Sequence, residues 1–388
     1  MSDITQTLQI YNIIFSELNV FLKLEKGCLS TKNTISFPKN LKIDEPLDLK
    51  QVLKDSGFMK IAGLIFDSSV HYLDHIAPFC SMQKCPLIIC EPEIAELAQI
   101  YYPKLSVIEK RLSNLKLPEN LVSCHPRPAL LAAFPFPNIK TCWLPHGNSD
   151  KGWKSVLFES LRHEETALVY GQKMIDCIEE KNGKLLNVTI KAVGNFRKTY
   201  AENHALFYKS LLQKKFSLPQ TKRTLLYAPT WKDAEDNSSF WQAFPILANT
   251  LPEDYTLLVK PHPNTWHAFA PELERLIGTY QMKKNIVWIF DFPPIYPLLE
   301  LCNGYIGDMS SIGYDFLSKN RPMYFLNTHH RDAKTDKGLY LYQCGQEFLP
   351  SQYENLFTID RATYLEDAAK FTAIRKTVYN YTFSEKDF

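Results

Sequence analysis

The sequence has no excess of charge of either sign: 44 Lys and Arg stand against 42 Asp and Glu, leaving a net charge of +2 over 388 residues. That balance excludes a protein whose main work is wrapping a nucleic-acid backbone, so any anion site must be local. It also lacks the C-x-x-C spacing of zinc and redox sites. Its nine cysteines (Cys28, Cys80, Cys85, Cys90, Cys124, Cys142, Cys177, Cys302 and Cys344) are scattered and odd in number, so reduced, buried thiols are expected. No basic stretch precedes an apolar run at Met1-Ser2-Asp3-Ile4-Thr5, so no secretory signal is expected. The uncharged run near Pro128 to Ile139 is broken by three prolines and falls short of the ~20 apolar residues of a membrane span. These absences lead to the expectation of a cytoplasmic protein without transmembrane helices. A Walker loop and a G-x-G-x-x-G fingerprint are missing as well.

What is present describes a folded chain. Hydrophobic residues make up 45% and charged residues 22%, ordinary globular values, and at ~150 residues per domain the length points to two domains of unequal or swollen size. Residues 1 to 60 read as an amphipathic helix (Ile10, Ile13, Ile14, Leu18) and a second helix from Leu47 to Lys54 ending at Gly57. A strand and helix alternation follows. Strands are expected at Ile61 to Phe66, Pro86 to Cys90, Leu121 to Cys124, Thr141 to Leu144, Ala167 to Tyr170 and Val188 to Val193. Pro92 opens a helix whose Ile94, Leu97 and Ile100 share a face. After a helical, charged stretch near Tyr200 to Phe216 the rhythm restarts. The second set of strands is Thr224 to Tyr227, Thr256 to Val259, Ile286 to Ile289, Gly304 to Ile306 and Met323 to Leu326. From Asp360, read as an N-cap, Tyr364, Leu365, Ala368, Phe371, Ile374 and Val378 mark one long amphipathic helix. Alternation of this kind argues for parallel α/β layers, and two such domains facing each other make a cleft at the carboxyl ends of their strands.

Four expected strand ends carry unusual residues. Trp143-Leu144-Pro145-His146-Gly147 puts a histidine, a base near neutral pH, beside a glycine that lets the backbone bend sharply, with Lys151 close behind. Tyr227-Ala228-Pro229-Thr230-Trp231-Lys232-Asp233 offers a hydroxyl, a ring and a cation to an anionic, planar ligand. Lys260-Pro261-His262-Pro263 holds a histidine stiffly between prolines, beside a lysine that opposes phosphate charge. Gly307-Asp308-Met309-Ser310-Ser311 breaks a strand and opens a helix, where hydroxyls and free N–H groups suit a phosphate. Each has a plainer counterpart: a turn with a satisfied histidine, a buried tryptophan, a stiff connection, or an N-cap at Asp308 or Ser310. In the first half, Asp67-Ser68-Ser69 is followed by His71, Asp74 and His75, and Asp74 and His75 either face the cleft or serve core hydrogen bonding.

Taken together and in order, these elements resemble the CDP-glycerol glycerophosphotransferase family, whose members build or prime teichoic-acid-like polymers. Trp143, His146, Gly147 and Lys151 match its W-H-G-T-x-x-K motif with Leu144 and Pro145 inserted. Tyr227 through Asp233 match Y-A-P-T-W-R-D with Lys232 for Arg. Lys260, His262 and Pro263 match R/K-x-H-P, and Asp308, Ser310, Ser311 and Asp315 match D-Y-S-S-x-x-x-D, followed by Arg321-Pro322. The G-x-P-R-N-D segment appears only as Gly194-Asn195-Phe196-Arg197-Lys198. The likeness covers about residues 140 to 330.

The resemblance implies an α/β fold of two Rossmann-like domains facing a cleft, as in type B glycosyltransferases, with the last helix crossing back to the first domain. The boundaries expected are 1–205 for an acceptor-side domain, 206–360 for a nucleotide-donor domain and 361–388 for the returning helix. It implies an enzyme that moves glycerol phosphate, or a related polyol phosphate, from a CDP-linked donor to a hydroxyl of a cell-envelope glycan or lipid, releasing CMP. His146 is then the general base. His262, Ser310 and Ser311 hold the diphosphate with Lys151, Arg197 and Lys260 as helpers, while Gly147, Thr230 and Asp308 complete the substrate-binding set. Asp74 and His75 are the acceptor-side candidates. No cofactor, metal or nucleic acid is expected. The partners are the nucleotide-activated donor, a glycan or lipid-linked acceptor, and peripheral contact with the inner face of the membrane. A UDP-sugar glycosyltransferase or UDP-N-acetylglucosamine 2-epimerase-like enzyme on the same fold, and a catalytically silent nucleotide-binding scaffold, are the other readings.

Overall fold

The computed structural model describes residues 61–110, 120–133, 139–153, 157–183, 185–233 and 236–384. The two helices expected before residue 60, and Cys28, lie outside these residues. Within them the chain forms two parallel sheets. The first contains β1 (Ile61–Ile65), β2 (Leu87–Ile89), β3 (Val107–Glu109), β4 (Asn120–Ser123), β5 (Lys140–Trp143), β6 (Thr166–Val169) and β7 (Thr189–Ala192), in the order β3-β2-β1-β4-β5-β6-β7. The second contains β8 (Arg223–Tyr227), β9 (Tyr255–Val259), β10 (Ile286–Trp288), β11 (Gly304–Gly307), β12 (Met323–Leu326) and β13 (Gln346–Phe348), in the order β10-β9-β8-β11-β12-β13. Strand order reverses between β1 and β4 and between β8 and β11. A crevice at the carboxyl edge belongs at such points.

The central strands are uninterrupted apolar runs because helices cover both faces; every residue of Tyr-Thr-Leu-Leu-Val in β9 is buried. The register pairs Leu226 with Leu258 and Ile306 with Tyr227, so the three strands that carry site loops end side by side. β3 and β13 were not expected. Each is three residues long at the end of its sheet's order, too short to give a period.

The helices of the first unit are α1 (Leu73–Gln83), α2 (Pro92–Tyr101), α3 (Arg127–Ala133), α4 (Gln172–Asn182) and α5 (Phe196–Asn203). The buried face of α2 is Ile94, Ala95, Ala98 and Tyr101, rotated from the expected one, and Ile100 is 44% exposed. α6 (Ala205–Lys215) leads into the second unit, which adds α7 (Phe240–Thr250), α8 (Pro263–Tyr280), α9 (Ile295–Glu300) and α10 (Ser311–Phe316).

The tail is not one helix from residue 360. It is α11 (Leu356–Thr363) followed, after a break at Tyr364 to Glu366, by α12 (Asp367–Phe383). Asp360 is no cap: it lies inside α11, fully buried, and accepts hydrogen bonds from Tyr255 (2.7 Å), Tyr324 (2.5 Å) and Arg223 (2.6 Å). Leu365, expected on the apolar face, is 79% exposed at the break. α12 then returns to the first unit. There Asn195 Nδ2 donates to Tyr379 (3.1 Å), Tyr381 donates to Asp176 (2.7 Å), and the Gln172 N–H donates to Ser384 Oγ (3.0 Å). The approach is close enough that a Cβ at Gly171 would stand 2.5 Å from the Thr382 carbonyl. The eight described cysteines are free and buried.

Candidate functional site

The two carboxyl edges face each other across a cavity of about 270 Å³. Every wall comes from a segment that leaves a strand or opens a helix beyond one. His71 lies on a short 3-10 turn (Val70–Tyr72) after β1, and His146 and Gly147 follow β5. Thr230 and Trp231 follow β8, Lys260 and His262 follow β9, and Ser310 and Ser311 follow β11. All line the cavity, as does Lys151. Residues far apart in sequence meet because parallel strands deliver their carboxyl ends to the same edge.

At Gly147 the two units come into close contact. Its φ is +145°, in the region that disfavours a side chain, and a Cβ there would lie 2.7 Å from Ser311 Cβ and Oγ. Nearby, Ser149 Oγ donates to the Met309 carbonyl (3.0 Å), and Asp150 accepts from Tyr314 of α10 (2.5 Å) while pairing with Lys173 (2.7 Å).

Three half-buried imidazoles form the centre. The His71 ring lies 5.5 Å from that of His146 and 5.3 Å from that of His262, centroid to centroid. Withdrawal from water holds all three below the usual histidine range: His71 at about 3, His146 at about 4, and His262 well below it. The Lys151 ammonium adds to this at both His146 and His262. All three are therefore neutral at pH 7. His262 caps α8, and its Nδ1 accepts the Asn264 N–H (3.1 Å). A backbone N–H can only donate, so the proton of His262 sits on Nε2. Among the described residues Nδ1 of His71 and Nδ1 of His146 are shielded from water and have no hydrogen-bond partner.

The cations are arranged around this group. Lys260 is pushed down to about 8 by loss of hydration, opposed by Asp74 and Asp291, and donates to the Phe292 carbonyl (3.0 Å). Lys151 reaches across the cleft to Thr230 Oγ1 (2.5 Å) and Asp233 (3.0 Å). Ser310 is the N-cap residue of α10 and Ser311 its first residue. The cavity thus offers a hydrogen-bond donor at His262, hydroxyls at α10 and two lysines on one side, against an unpaired neutral imidazole at His146 on the other. That arrangement can hold an anion and accept a proton. Among the described residues no group of three or more His, Cys, Asp or Glu could hold a metal ion.

Four expected site residues make scaffold contacts, and three of them, Arg197, Asp74 and His75, also line the cavity. Arg197 is buried between two carboxylates. Its Nη1 bonds both oxygens of Asp315 (3.1 and 3.0 Å), its Nη2 bonds Asp74, and its Nε bonds the Asp74 carbonyl (3.1 Å). Little of the guanidinium is left for a diphosphate. Asp74 accepts in addition from Tyr102 (3.1 Å) and the Ile295 N–H (3.3 Å), so its carboxylate is saturated rather than open to an acceptor. His75 edges the cavity, but its Nδ1 is hydrogen-bonded to the Tyr170 hydroxyl. Asp308 does not line the cavity: it accepts from the Thr230 N–H (2.7 Å) and from both Ser239 N and Oγ (2.8 Å each), and so sets the course of the loop after β8. Conversely, His71 was passed over as a site residue. Its position just past a strand end was the available signal.

Comparison with known proteins follows this geometry. Residues 197–358 match the family described as CDP-Glycerol:Poly(glycerophosphate) glycerophosphotransferase. A teichoic acid glycerol-phosphate primase of Bacillus spizizenii is 29% identical over 131 residues, which are 33% of this chain and 31% of that protein. The match therefore spans about a third of the length of that relative. Among solved structures, the wall teichoic acid polymerase TagF superposes with a TM-score of 0.56 at 16% identity over 84% of each chain. A TagF variant soaked with CDPG gives 0.58 at 14% over 84% of each. MnaA of S. aureus in complex with UDP gives 0.52 at 10%, over 84% of this chain and 98% of that one. These structural likenesses establish the fold, the two-sheet α/β architecture of type B glycosyltransferases.

Proposed function

We propose, for a chain whose residues 197–358 belong to the CDP-glycerol glycerophosphotransferase family, that it transfers glycerol phosphate, or a related polyol phosphate, from a CDP-linked donor to a hydroxyl of a cell-envelope glycan or lipid. One observation carries the reading. The matched segment brings Thr230, Lys260, His262, Ser310 and Ser311 to the same cavity that the first unit closes with His146.

In this reading the acceptor oxygen attacks the phosphorus bonded to glycerol. Its proton passes to a free nitrogen of neutral His146, and the bond from that phosphorus to the CMP oxygen breaks. His262 Nε2–H, the Ser310 and Ser311 hydroxyls and protonated Lys260 face the charge that collects on the leaving phosphate. Phosphoryl transfer asks a protein mostly for positioning and for stabilisation of charge, and both are features of this cavity. Acceptors of this class are amphiphilic, which supports peripheral contact with the inner face of the membrane; no helix among the described residues is long and apolar enough to cross one.

Calorimetric titration with CDP-glycerol, CDP-ribitol, UDP-N-acetylglucosamine and CMP tests the reading before an acceptor is known. The expected result is tightest binding of a CDP-alditol, weakened by replacing Ser310 and Ser311 with Ala. Preference for the UDP-sugar would redirect the assignment to sugar transfer or epimerisation, and absence of binding by all four would remove the catalytic reading.

A further inference from the structure

His71 is the histidine of the cavity that the reading above leaves without a task. It comes from the first unit, outside the family match, on a turn anchored by the Asp67 carboxylate, which accepts the Ser69 N–H (3.1 Å). Its ring packs on Tyr72 at 4.5 Å and lies within contact range of both His146 and His262. His146 is the group placed to take the acceptor proton and His262 the group placed on the diphosphate. The space that both address is where the transferred phosphorus must sit, and His71 borders the two. Nδ1 of His71 has no hydrogen-bond partner among the described residues, although polar groups shielded from water are nearly always paired. The missing partner is most simply an atom of the ligand.

We infer that His71 is a further catalytic residue, donating an N–H to a non-bridging oxygen of the phosphoryl group during its transfer from CMP to the acceptor. The inference rests on the proposed function. No proton leaves His71 in the step: the bond to the CMP oxygen breaks, the bond to the acceptor oxygen forms, the acceptor proton goes to His146, and the His71 hydrogen bond strengthens as charge spreads over the phosphoryl oxygens. Being neutral, the imidazole adds no fixed charge beside Lys260 and Lys151. A ring that served packing alone would be replaceable by a side chain of similar bulk.

The test compares wild type, His71→Ala and His71→Gln in three measurements: melting temperature, CDP-glycerol titration followed by phosphorus NMR, and CMP release with membrane vesicles bearing glycerol-phosphate-terminated lipid. The expected pattern for His71→Ala is a turnover number down by about 100-fold or more, as for loss of a transition-state donor, with a donor Kd within about threefold of wild type. The resonance of the glycerol-linked phosphorus should move in the bound state while that of the CMP phosphorus does not. His71→Gln, which keeps a donor, should regain part of the rate and serves as the folded control if the alanine variant melts early. Turnover within about threefold of wild type in both variants, or an unmoved glycerol-linked resonance, overturns the assignment while leaving the proposed function intact. A wild-type protein that neither binds CDP-glycerol nor releases CMP overturns both.

Discussion

Replacing Arg197 with Met separates a scaffold role from a substrate role. The guanidinium is enclosed by Asp74 of α1 and Asp315 of α10, and thus joins the two units. Methionine fills much of the volume but leaves two buried carboxylates without their cation. Removing one partner of such a group costs about 3–5 kcal/mol. At roughly 2–4 °C per kcal/mol for units of this size, the melting temperature should fall by roughly 6–20 °C. The loss should also depend on pH. Burial already raises the Asp315 carboxyl, with Arg197 the main opposing influence, so without Arg197 its folded pKa rises further above the unfolded value of about 3.9. An acid whose pKa is raised on folding binds its proton more tightly in the native state, so stability falls as pH rises from the unfolded value through the folded one. The deficit of Arg197→Met should therefore be largest near pH 7 and shrink as pH falls toward 4–5, and adding Asp315→Asn should recover part of it at neutral pH. Urea unfolding of the three proteins across that range measures this. A loss below about 1 kcal/mol together with a large drop in CDP-glycerol affinity would refute the reasoning and return Arg197 to the diphosphate.

Three further outcomes are expected. His262→Asn keeps an oxygen to accept the Asn264 N–H but removes the Nε2–H donor, so CMP release should fall about 100-fold or more with little change in melting. His262→Ala should in addition lose about 1 kcal/mol of capping; equal melting of the two variants would contradict the cap. Gly147→Ala forces a side chain into a +145° φ and against Ser311, so it should cost about 1–3 kcal/mol and lower turnover. Full activity with unchanged melting would show that the cleft does not close as described. The Lys260 ammonium, pushed down to about 8, should lose its proton just above neutrality, so CDP-glycerol affinity should decline above pH 8 in wild type and hold to higher pH in Lys260→Arg. A pH-independent affinity would remove Lys260 from the donor site.

The sequence was most readable where one element announces itself. The central strands are continuous apolar runs ended by Pro, Gly or Ser, so Leu258-Val259 before Lys260-Pro261-His262 marks both a strand and the residue it delivers. Edge strands such as Val107–Glu109 leave no such trace, because three residues paired on one side need little apolar character. The roles of charged residues were harder still. Arg197 and Asp308 stand in motifs that suggest phosphate binding, yet their partners lie 118 residues away at Asp315 and 69 residues away at Ser239. Whether a cation faces a ligand or a buried carboxylate is decided by which strand ends become neighbours. The same holds for His71, whose place just past a strand end hints at a site but is shared with solvated turns. The break at Tyr364 to Glu366 was hidden because helical spacing of apolar residues persists through it, while Asp360 is held inward by two tyrosines and an arginine from the sheet.

The return of α12 has a mechanical meaning. The polypeptide passes between the two units twice, once through α5 and α6 and once at the break before α12, and the Asn195 to Tyr379 hydrogen bond ties the far part of α12 back to the first unit. Two bodies joined at two points keep a single easy rotation, about the line through those points; sliding and swivelling are blocked. Arg197, two residues beyond Asn195 on the first passage, bridges the units a third time through its pairs with Asp74 and Asp315. Gly147 against Ser311 and Ser149 against Met309 add contacts between the units on the cavity lining itself. The two walls of the cavity are thus bound together like the pages of a book, by two runs of chain and one buried ion-pair bridge.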